Sequence, residues 1–224
     1  MQPLVPIETS KSSETLGQGD WLALERIEFI DKQGTKRNWE RCIRRKSHSN
    51  KVDGKMMFMI MTITTYIYQP AVDIHAIILT PEPELLLVIQ YRPAIKRYCL
   101  EFPSGLIDAN DDDPLISAQR ELKEETGYVV PKEQMRLIKL PLAYEPGLTD
   151  SCCYVVKTVI DPTMVCCAAP EPEVDEWSLQ TISLPLHGLL ERLEDLEKQH
   201  DGLLVIDSRV YSLASGLVYA KEFK

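Results

Sequence analysis

The sequence predicts an α+β fold built on a mixed β-sheet. Two observations carry that expectation. Apolar runs of strand length are interspersed with three helical patterns, and they follow no regular strand–helix–strand alternation. The 224 residues, 44% of them hydrophobic, can bury a substantial core, and the composition is neither disordered nor collagenous.

Each element follows in order. Residues 1–18 are polar, carry Pro, Ser and Thr, and read as a flexible N-terminal arm. Residues 19–54 read as an N-terminal strand region. WLALERIEFID and RNWERCIRRK fit the two strands of a hairpin around the turn Asp31-Lys32-Gln33-Gly34. Residues 55–69 (KMMFMIMTITTYIYQ) form an atypical insertion, rich in Met, Ile, Thr and Tyr. It reads equally as a β-hairpin or inserted edge strand and as intronic sequence translated in a gene model, because its codons are mostly A/T-rich. Residues 70–224 form the main domain. Within it, residues 73–80 and 85–91 are apolar strands joined by the turn Pro81-Glu82-Pro83-Glu84, and residues 97–102 form another. A helix spans Pro114–Thr126: Asp113 suits the N-cap, Pro114 the first helical position and Gly127 the stop. Strands follow at residues 136–144, at Cys152–Ile160 and near residues 177–184. Leu186, Leu189, Leu190, Leu193 and Leu196 have helical spacing, as do Val210, Leu213, Leu217 and Val218 behind an Asp207-Ser208 cap.

Charge narrows the function. Asp plus Glu number 34 against 25 Lys plus Arg, a net charge of −9, which argues against indiscriminate binding of nucleic acid or an anionic membrane. A small phosphorylated substrate stays open, provided cations or local arginines neutralise it. No run reaches the roughly 18–20 apolar residues of a membrane span, and the first residues lack the pattern of a signal peptide. Cys42, Cys99, Cys152, Cys153, Cys166 and Cys167 do not match zinc spacing and read as reduced thiols. A cytoplasmic location, with the nucleus also open, is the resulting expectation.

The informative stretch is residues 105–128, GLIDANDDDPLISAQRELKEETGY. On the predicted helix, Leu115, Ala118 and Leu122 share one face, and Glu121, Glu124 and Glu125 cluster on an adjacent one. Three carboxylates there repel one another, and they sit in the last turns, where the helix dipole disfavours negative charge. A divalent cation removes that penalty, and hard oxygen ligands suit Mg²⁺ or Mn²⁺ rather than zinc. A solvated acidic face is the ordinary alternative for three glutamates taken alone.

The neighbouring residues change that balance. Arg120-Glu121-Leu122-Lys123-Glu124-Glu125-Thr126-Gly127-Tyr128 matches one half of the Nudix signature, and Gly105 followed by an acid matches the other. The chain thus resembles the Nudix hydrolases. That implies an α/β/α sandwich with a mixed sheet for residues 70–224, plus the N-terminal hairpin region. There are two departures. An aspartate, Asp111, replaces the first glutamate of the signature, and the spacing from it to Arg120 is one residue longer; the other alignment uses Asp112, with Leu106 in the glycine place.

Tyr91-Arg92-Pro93, residues 101–108 (EFPSGLID), Pro146-Gly147-Leu148-Thr149-Asp150 and residues 205–212 (VIDSRVYS) resemble the ADP-ribose and ADP-sugar pyrophosphatases among them. The resemblance implies Mg²⁺-dependent hydrolysis of ADP-ribose and related ADP-sugars to AMP and a sugar phosphate, ribose 5-phosphate for ADP-ribose. It implies metal ligands at Glu121, Glu125 and the Ser104 carbonyl, with Glu124 on a second metal or orienting water, Arg120 in the catalytic set and Glu101 adding a ligand or meeting substrate. It implies a homodimer in which Trp21 and Trp39, 18 residues apart, sandwich adenine, one from each subunit. Glu40 faces the adenine edge, and Arg44 and Arg92 meet the phosphates or the terminal ribose. The general base belongs to the acidic loop at residues 170–177, with Glu176 preferred and Glu173 and Asp175 open. Two alternatives stay beside this reading. One is a Nudix enzyme acting on another nucleoside diphosphate derivative; the other is a catalytically silent nucleotide-binding module, against which the intact helix carboxylates weigh.

Overall fold

The computed structural model describes residues 12–45, 70–108, 111–173 and 176–223, with Ile7 and Ser10. The insertion expected at 55–69 and Asp175 lie outside the described residues. In chain order the strands and helices are β1 (Glu14–Gln18), β2 (Leu22–Ile30), β3 (Lys36–Arg44), β4 (Ala71–Ile78), β5 (Glu84–Arg92), β6 (Arg97–Glu101), β7 (Ser104–Leu106), α1 (Pro114–Thr126), β8 (Tyr128–Val129), β9 (Met135–Leu137), β10 (Leu142–Ala143), β11 (Cys152–Ile160), β12 (Cys166–Cys167), β13 (Gln180–Pro185), α2 (Leu189–Gln199), β14 (Leu204–Ile206) and α3 (Ser208–Glu222). They divide into two compact units. The first takes residues 1–71, 108–112 and 141–153; the second takes 72–107, 113–140 and 154–224.

The first unit holds the antiparallel sheet β1-β2-β3. The expected hairpin forms, with β2 and β3 in register from Leu22↔Arg44 to Ile30↔Lys36. Its turn is closed by Asp31, whose Oδ1 accepts the Gln33 and Thr35 N–H groups, both at 2.9 Å. The flexible arm expected over residues 1–18 needs correction at its end, because Glu14–Gln18 pairs with β2 as a third strand. Hydrophobic pattern could not reveal it: its side chains are mostly exposed, and backbone pairing holds it, helped by Arg26, which bridges Glu14 and Glu40, each at 3.0 Å. Segment 141–153 also belongs to this unit. The Cys42 N–H donates to the Leu148 carbonyl at 2.8 Å, and Cys42 bridges Thr149.

The second unit is a mixed sheet between helices. Its order runs β11-β4-β5-β6-β14, with β13 added on β5, β7 on β4 and β9 on β11. β14 is parallel to β6, whereas β5 is antiparallel to β4, β6 and β13. Alternation along β5 explains the layers. Leu86 packs on one face with Ala118 and Leu122 of α1; Leu85 and Leu87 pack on the other with Leu189 and Leu193 of α2 and Val210 and Ala214 of α3. The expected α/β/α sandwich follows.

Most elements match their sequence signals, and the exceptions have local causes. The single strand expected at 136–144 is two, β9 and β10, separated at Pro141, which has no N–H for a ladder. β9 pairs with Val156–Thr158 of β11 and β10 with Cys152–Cys153. The strand expected near 177 begins at Gln180. β7, β8, β12 and β14 have two or three residues each, too short for a period to show.

The punctuation of α1 is the firmest local feature. The Asp113 side chain accepts the Leu115 N–H, Pro114 opens the helix, and Gly127 ends it at φ +77° with its N–H on the Lys123 carbonyl. A Cβ at Gly127 would lie 2.0 Å from the Ala168 carbonyl oxygen. Gly127→Ala should therefore cost more than the about 1–3 kcal/mol of a strained left-handed residue, read as a lower midpoint in urea unfolding.

Candidate active site

The centre of the site is the last two turns of α1. Glu125 is fully buried. Its Oε2 accepts the Ser104 N–H at 2.9 Å, and its Oε1 has no hydrogen-bond partner. Burial pushes the Glu125 carboxyl well above the usual carboxylate range, and the nearby charges of Glu176 and Glu121 push the same way. Glu121, one helical turn earlier, is buried as well. Burial raises its carboxyl to about 7 even though the adjacent Arg120 pulls it down. Arg120 Nη1 donates to Glu121 at 2.8 Å and to Glu124 at 3.2 Å, while Nη2 reaches the Leu106 carbonyl at 3.2 Å. Arg120 thereby ties the helix to the loop that starts the motif. Gly105 allows that approach: a Cβ there would fall 1.9 Å from Glu121 Cδ.

The C-terminal carbonyls of α1 tie it to the acidic segment. The Glu171 N–H donates to the Glu124 carbonyl at 2.8 Å, the Ala168 N–H to the Gly127 carbonyl at 2.9 Å, and the Thr181 hydroxyl to the Glu125 carbonyl at 2.7 Å. β12, just before this segment, pairs with β8, just after the helix. Glu176 is thus held close enough for its charge to act on both Glu121 and Glu125. Its Oε2 accepts the Glu173 N–H at 3.0 Å. Glu173 is exposed. Next to Glu176, the Ser178 hydroxyl accepts the Tyr91 N–H at 2.8 Å, and the exposed Trp177 ring lies 6.3 Å from that of Tyr91.

Arg92 follows Tyr91 on β5. Its Nε donates to both Glu101 oxygens at 3.0 and 3.1 Å, and Nη2 also reaches Oε2. Glu101 is buried, so this fork consumes most of its acceptor capacity. Glu101 therefore holds an arginine here, a role that its place before the motif did not suggest.

The first unit carries the remaining sequence candidates. Trp39 Nε1 donates to the Gly147 carbonyl at 3.2 Å. Trp39 lines a cavity of about 360 Å³ with Ile27, Arg41, Pro146, Thr149 and Asp150 among its walls. Arg41 spans Glu25 and Asp150, both at 3.3 Å. Arg41 alternates with Trp39 on one face of β3, a strand-period signal that is present in the sequence, whereas Asp150 comes from the 141–153 segment. Glu40 lies on the opposite face and pairs with Arg26, so it does not join Trp39 at this cavity. Arg44 is exposed at the end of β3. Trp21, also exposed, precedes β2 by one residue, whereas Trp39 pairs with Ile27. At about 3.3 Å per residue the two tryptophans are about 20 Å apart along the hairpin, so one chain does not bring them together.

Residues 69–204 match the NUDIX domain model. The chain belongs to the Nudix family. It is 29% identical over 213 residues to the ADP-sugar pyrophosphatase of Mus musculus, covering 94% of this chain and 88% of the relative. It is 31% identical over 206 residues to the ADP-ribose pyrophosphatase of Saccharomyces cerevisiae, covering 91% and 79%. The fold resembles the crystal structure of an ADP compounds hydrolase, with a TM-score of 0.63 and 22% identity over 100% of this chain and 96% of that one.

The Nudix helix carries a donor set that fits a divalent cation. Glu121 and Glu125 are carboxylates buried side by side, and one Glu125 oxygen is orphaned. Leaving a buried acceptor unsatisfied costs about 1–3 kcal/mol, which a cation at that oxygen removes. The same burial sets a pH dependence in the metal-free chain. Glu121 prefers its proton more in the folded state, at about 7, than in the unfolded chain, near its ordinary 4.5. Its contribution to stability is full below the lower value and is lost as pH rises through the upper one. With chelator present, wild-type melting temperature should fall relative to that of Glu121→Gln between about pH 5 and about pH 8. Parallel curves across that window would contradict this protonation.

Proposed function

We propose that the chain is an Mg²⁺-dependent ADP-sugar pyrophosphatase, hydrolysing ADP-ribose and related ADP-sugars to AMP and a sugar phosphate, which is ribose 5-phosphate for ADP-ribose. The observation that carries this reading is the pair of buried carboxylates Glu121 and Glu125, one with an orphaned oxygen, on an intact Nudix helix. The names of the relatives supply the substrate class. Hard oxygen donors favour Mg²⁺, with Mn²⁺ the alternative.

In this reading Glu121, Glu125 and the Ser104 carbonyl would hold the metal, and Glu124 would hold a second one or orient water. A bound cation would neutralise the pyrophosphate oxygens and make a coordinated water more acidic. Arg120 keeps the motif loop against the helix. Arg92, its guanidinium oriented by Glu101, presents its remaining donors to the phosphates or the terminal ribose. Glu176 takes the proton of the attacking water. The water oxygen forms a bond to phosphorus, and the bridging oxygen leaves with its electron pair. Trp21 and Trp39 stack on adenine in a homodimer, one from each chain, with Arg44 beside them; Glu40, turned to Arg26 on the opposite face of β3, takes no part at the Trp39 ring. Their separation of about 20 Å along one hairpin is what calls for the second chain, since a base fits only between rings about 7 Å apart. Residues 19–54 form the dimerisation region, and the protein works in the cytoplasm. Among the described residues no helix is long and apolar enough to cross a membrane.

Purified protein with ADP-ribose and Mg²⁺ should release AMP, and Glu125→Gln should lower kcat at least about 100-fold, the loss of one preorganised charge at a reacting centre. Absence of AMP, or equal release by the variant, would refute the assignment. Glu176→Gln should cut kcat about 100-fold or more and leave the Kd for ADP-ribose within about twofold. Wild-type turnover in that variant would transfer the base role to Glu173 or Asp175.

A further inference from the structure

We propose that Arg209 is a positioning residue for Arg92, acting through Asp207 and Glu101. This rests on the reading above that Arg92 meets the substrate. Arg209 lies in the VIDSRVYS segment, to which the proposed chemistry gives no role.

The geometry begins at the start of α3. Asp207 caps that helix by accepting the Arg209 N–H, and its own N–H donates to the Leu100 carbonyl at 3.0 Å. β14 runs parallel to β6 just before it, with Ile206 opposite Leu100. This brings Asp207 beside the end of β6, and one ligand atom from each of Cys99, Glu101 and Asp207 lies within 4.8 Å of the others. Two carboxylates so close, away from bulk water, repel each other strongly unless each has its own counter-charge.

Each has one. Arg92 forks onto Glu101. Arg209 forks onto Asp207, Nε to Oδ1 at 2.8 Å and Nη2 to Oδ2 at 2.7 Å. The third Arg209 nitrogen, Nη1, reaches Oδ2 of the buried Asp73 on β4 at 2.7 Å. Arg209 is thereby fixed at both ends. The charges then run Asp73, Arg209, Asp207, Glu101, Arg92, with the buried Cys99 thiol at the one junction where two acids meet. At that junction the buried Cys99 Sγ lies within 4.8 Å of a carboxylate oxygen of each acid and adds no charge of the opposite sign.

Both carboxylates of the Cys99 triad are engaged by arginines, so the triad reads as a link rather than a metal site. Its consequence for the substrate is direct. Without Arg209, the Asp207 charge bears on Glu101 unopposed. Arg92 is then the guanidinium left to answer two carboxylates, and its fork turns away from the direction in which it meets the substrate.

Steady-state kinetics on ADP-ribose with Mg²⁺ tests this. Arg209→Met should raise KM about tenfold, within the coupling expected of contacting charged groups, and leave kcat within about twofold. In an Arg92→Ala background the same substitution should change KM no further. Adding Asp207→Asn to Arg209→Met should return KM toward wild type, because the variant amide keeps the cap acceptor and removes the uncompensated charge. A merely structural role predicts the opposite: additive effects and a worse double variant, and either result overturns the proposal. If Arg209→Met does not fold, Arg209→Lys carries the test. It keeps a charge opposing Asp207 and loses the double fork, so KM should rise less than the about tenfold expected of Arg209→Met, again with no further rise when Arg92 is Ala. An unchanged KM for Arg92→Ala would remove the premise about Arg92, an outcome distinct from additivity.

Discussion

The structure turns on the burial of one carboxylate. Glu125 is fully enclosed between α1 and the sheet, with one oxygen on the Ser104 N–H and the other unpartnered. Such a group is unfavourable for a fold that needs only packing, because an unsatisfied buried acceptor costs more than a typical hydrogen bond contributes. Its surroundings are arranged to tolerate it. Gly105 removes the Cβ that would collide with Glu121, and Gly127 takes the left-handed turn that brings Ala168 against the helix end. Ala118 and Leu122, on the neighbouring face, anchor the helix in the core. The same helix therefore packs the domain with one face and gathers charge with the next.

Counter-charges show how the acids near the site divide. Glu101 has Arg92, Glu121 and Glu124 share Arg120, and Asp73 and Asp207 share Arg209. Among the described residues Glu125 has no ion pair in this set. The most deeply buried helix acid is thus the one without a cationic partner in this set, and burial favours its proton until a cation takes that place. The net charge of −9 is consequently no general bar to an anionic substrate. It is partly a local deficit of positive charge, of the kind a divalent cation fills.

Legibility in the sequence followed the strength of the local signal. The bounds of α1 were readable because Asp113, Pro114 and Gly127 each act through a backbone preference that needs no tertiary partner. β5 was readable as an apolar run because both of its faces are covered. β14 was not: three residues show no period, and its pairing with β6 depends on α2 having brought the chain back. The carboxylates of the site were readable from helical spacing. Glu101 was legible as a nearby acid, but its engagement by Arg92 is a cross-strand relation between β5 and β6 that spacing along the chain does not encode. Arg209 shows the same limit more strongly, since its partner Asp73 lies 136 residues away.

That limit also explains why the residues of the proposed substrate site come from such different places. A charge that must meet a phosphate has to be oriented, and an exposed arginine loses orientation to its many rotamers. Orientation is supplied by a buried acid, and a buried acid needs its own compensation. Each requirement recruits a residue from a further strand: Arg92 from β5, Glu101 from β6, Asp207 from the turn after β14 and Asp73 from β4. The chain of compensation stops at Arg209, where one guanidinium satisfies two carboxylates. If Arg92 meets the substrate as proposed, the catalytic surface is specified partly by a charge ladder running behind it, and its far end belongs to the helix that closes the opposite face of the sheet.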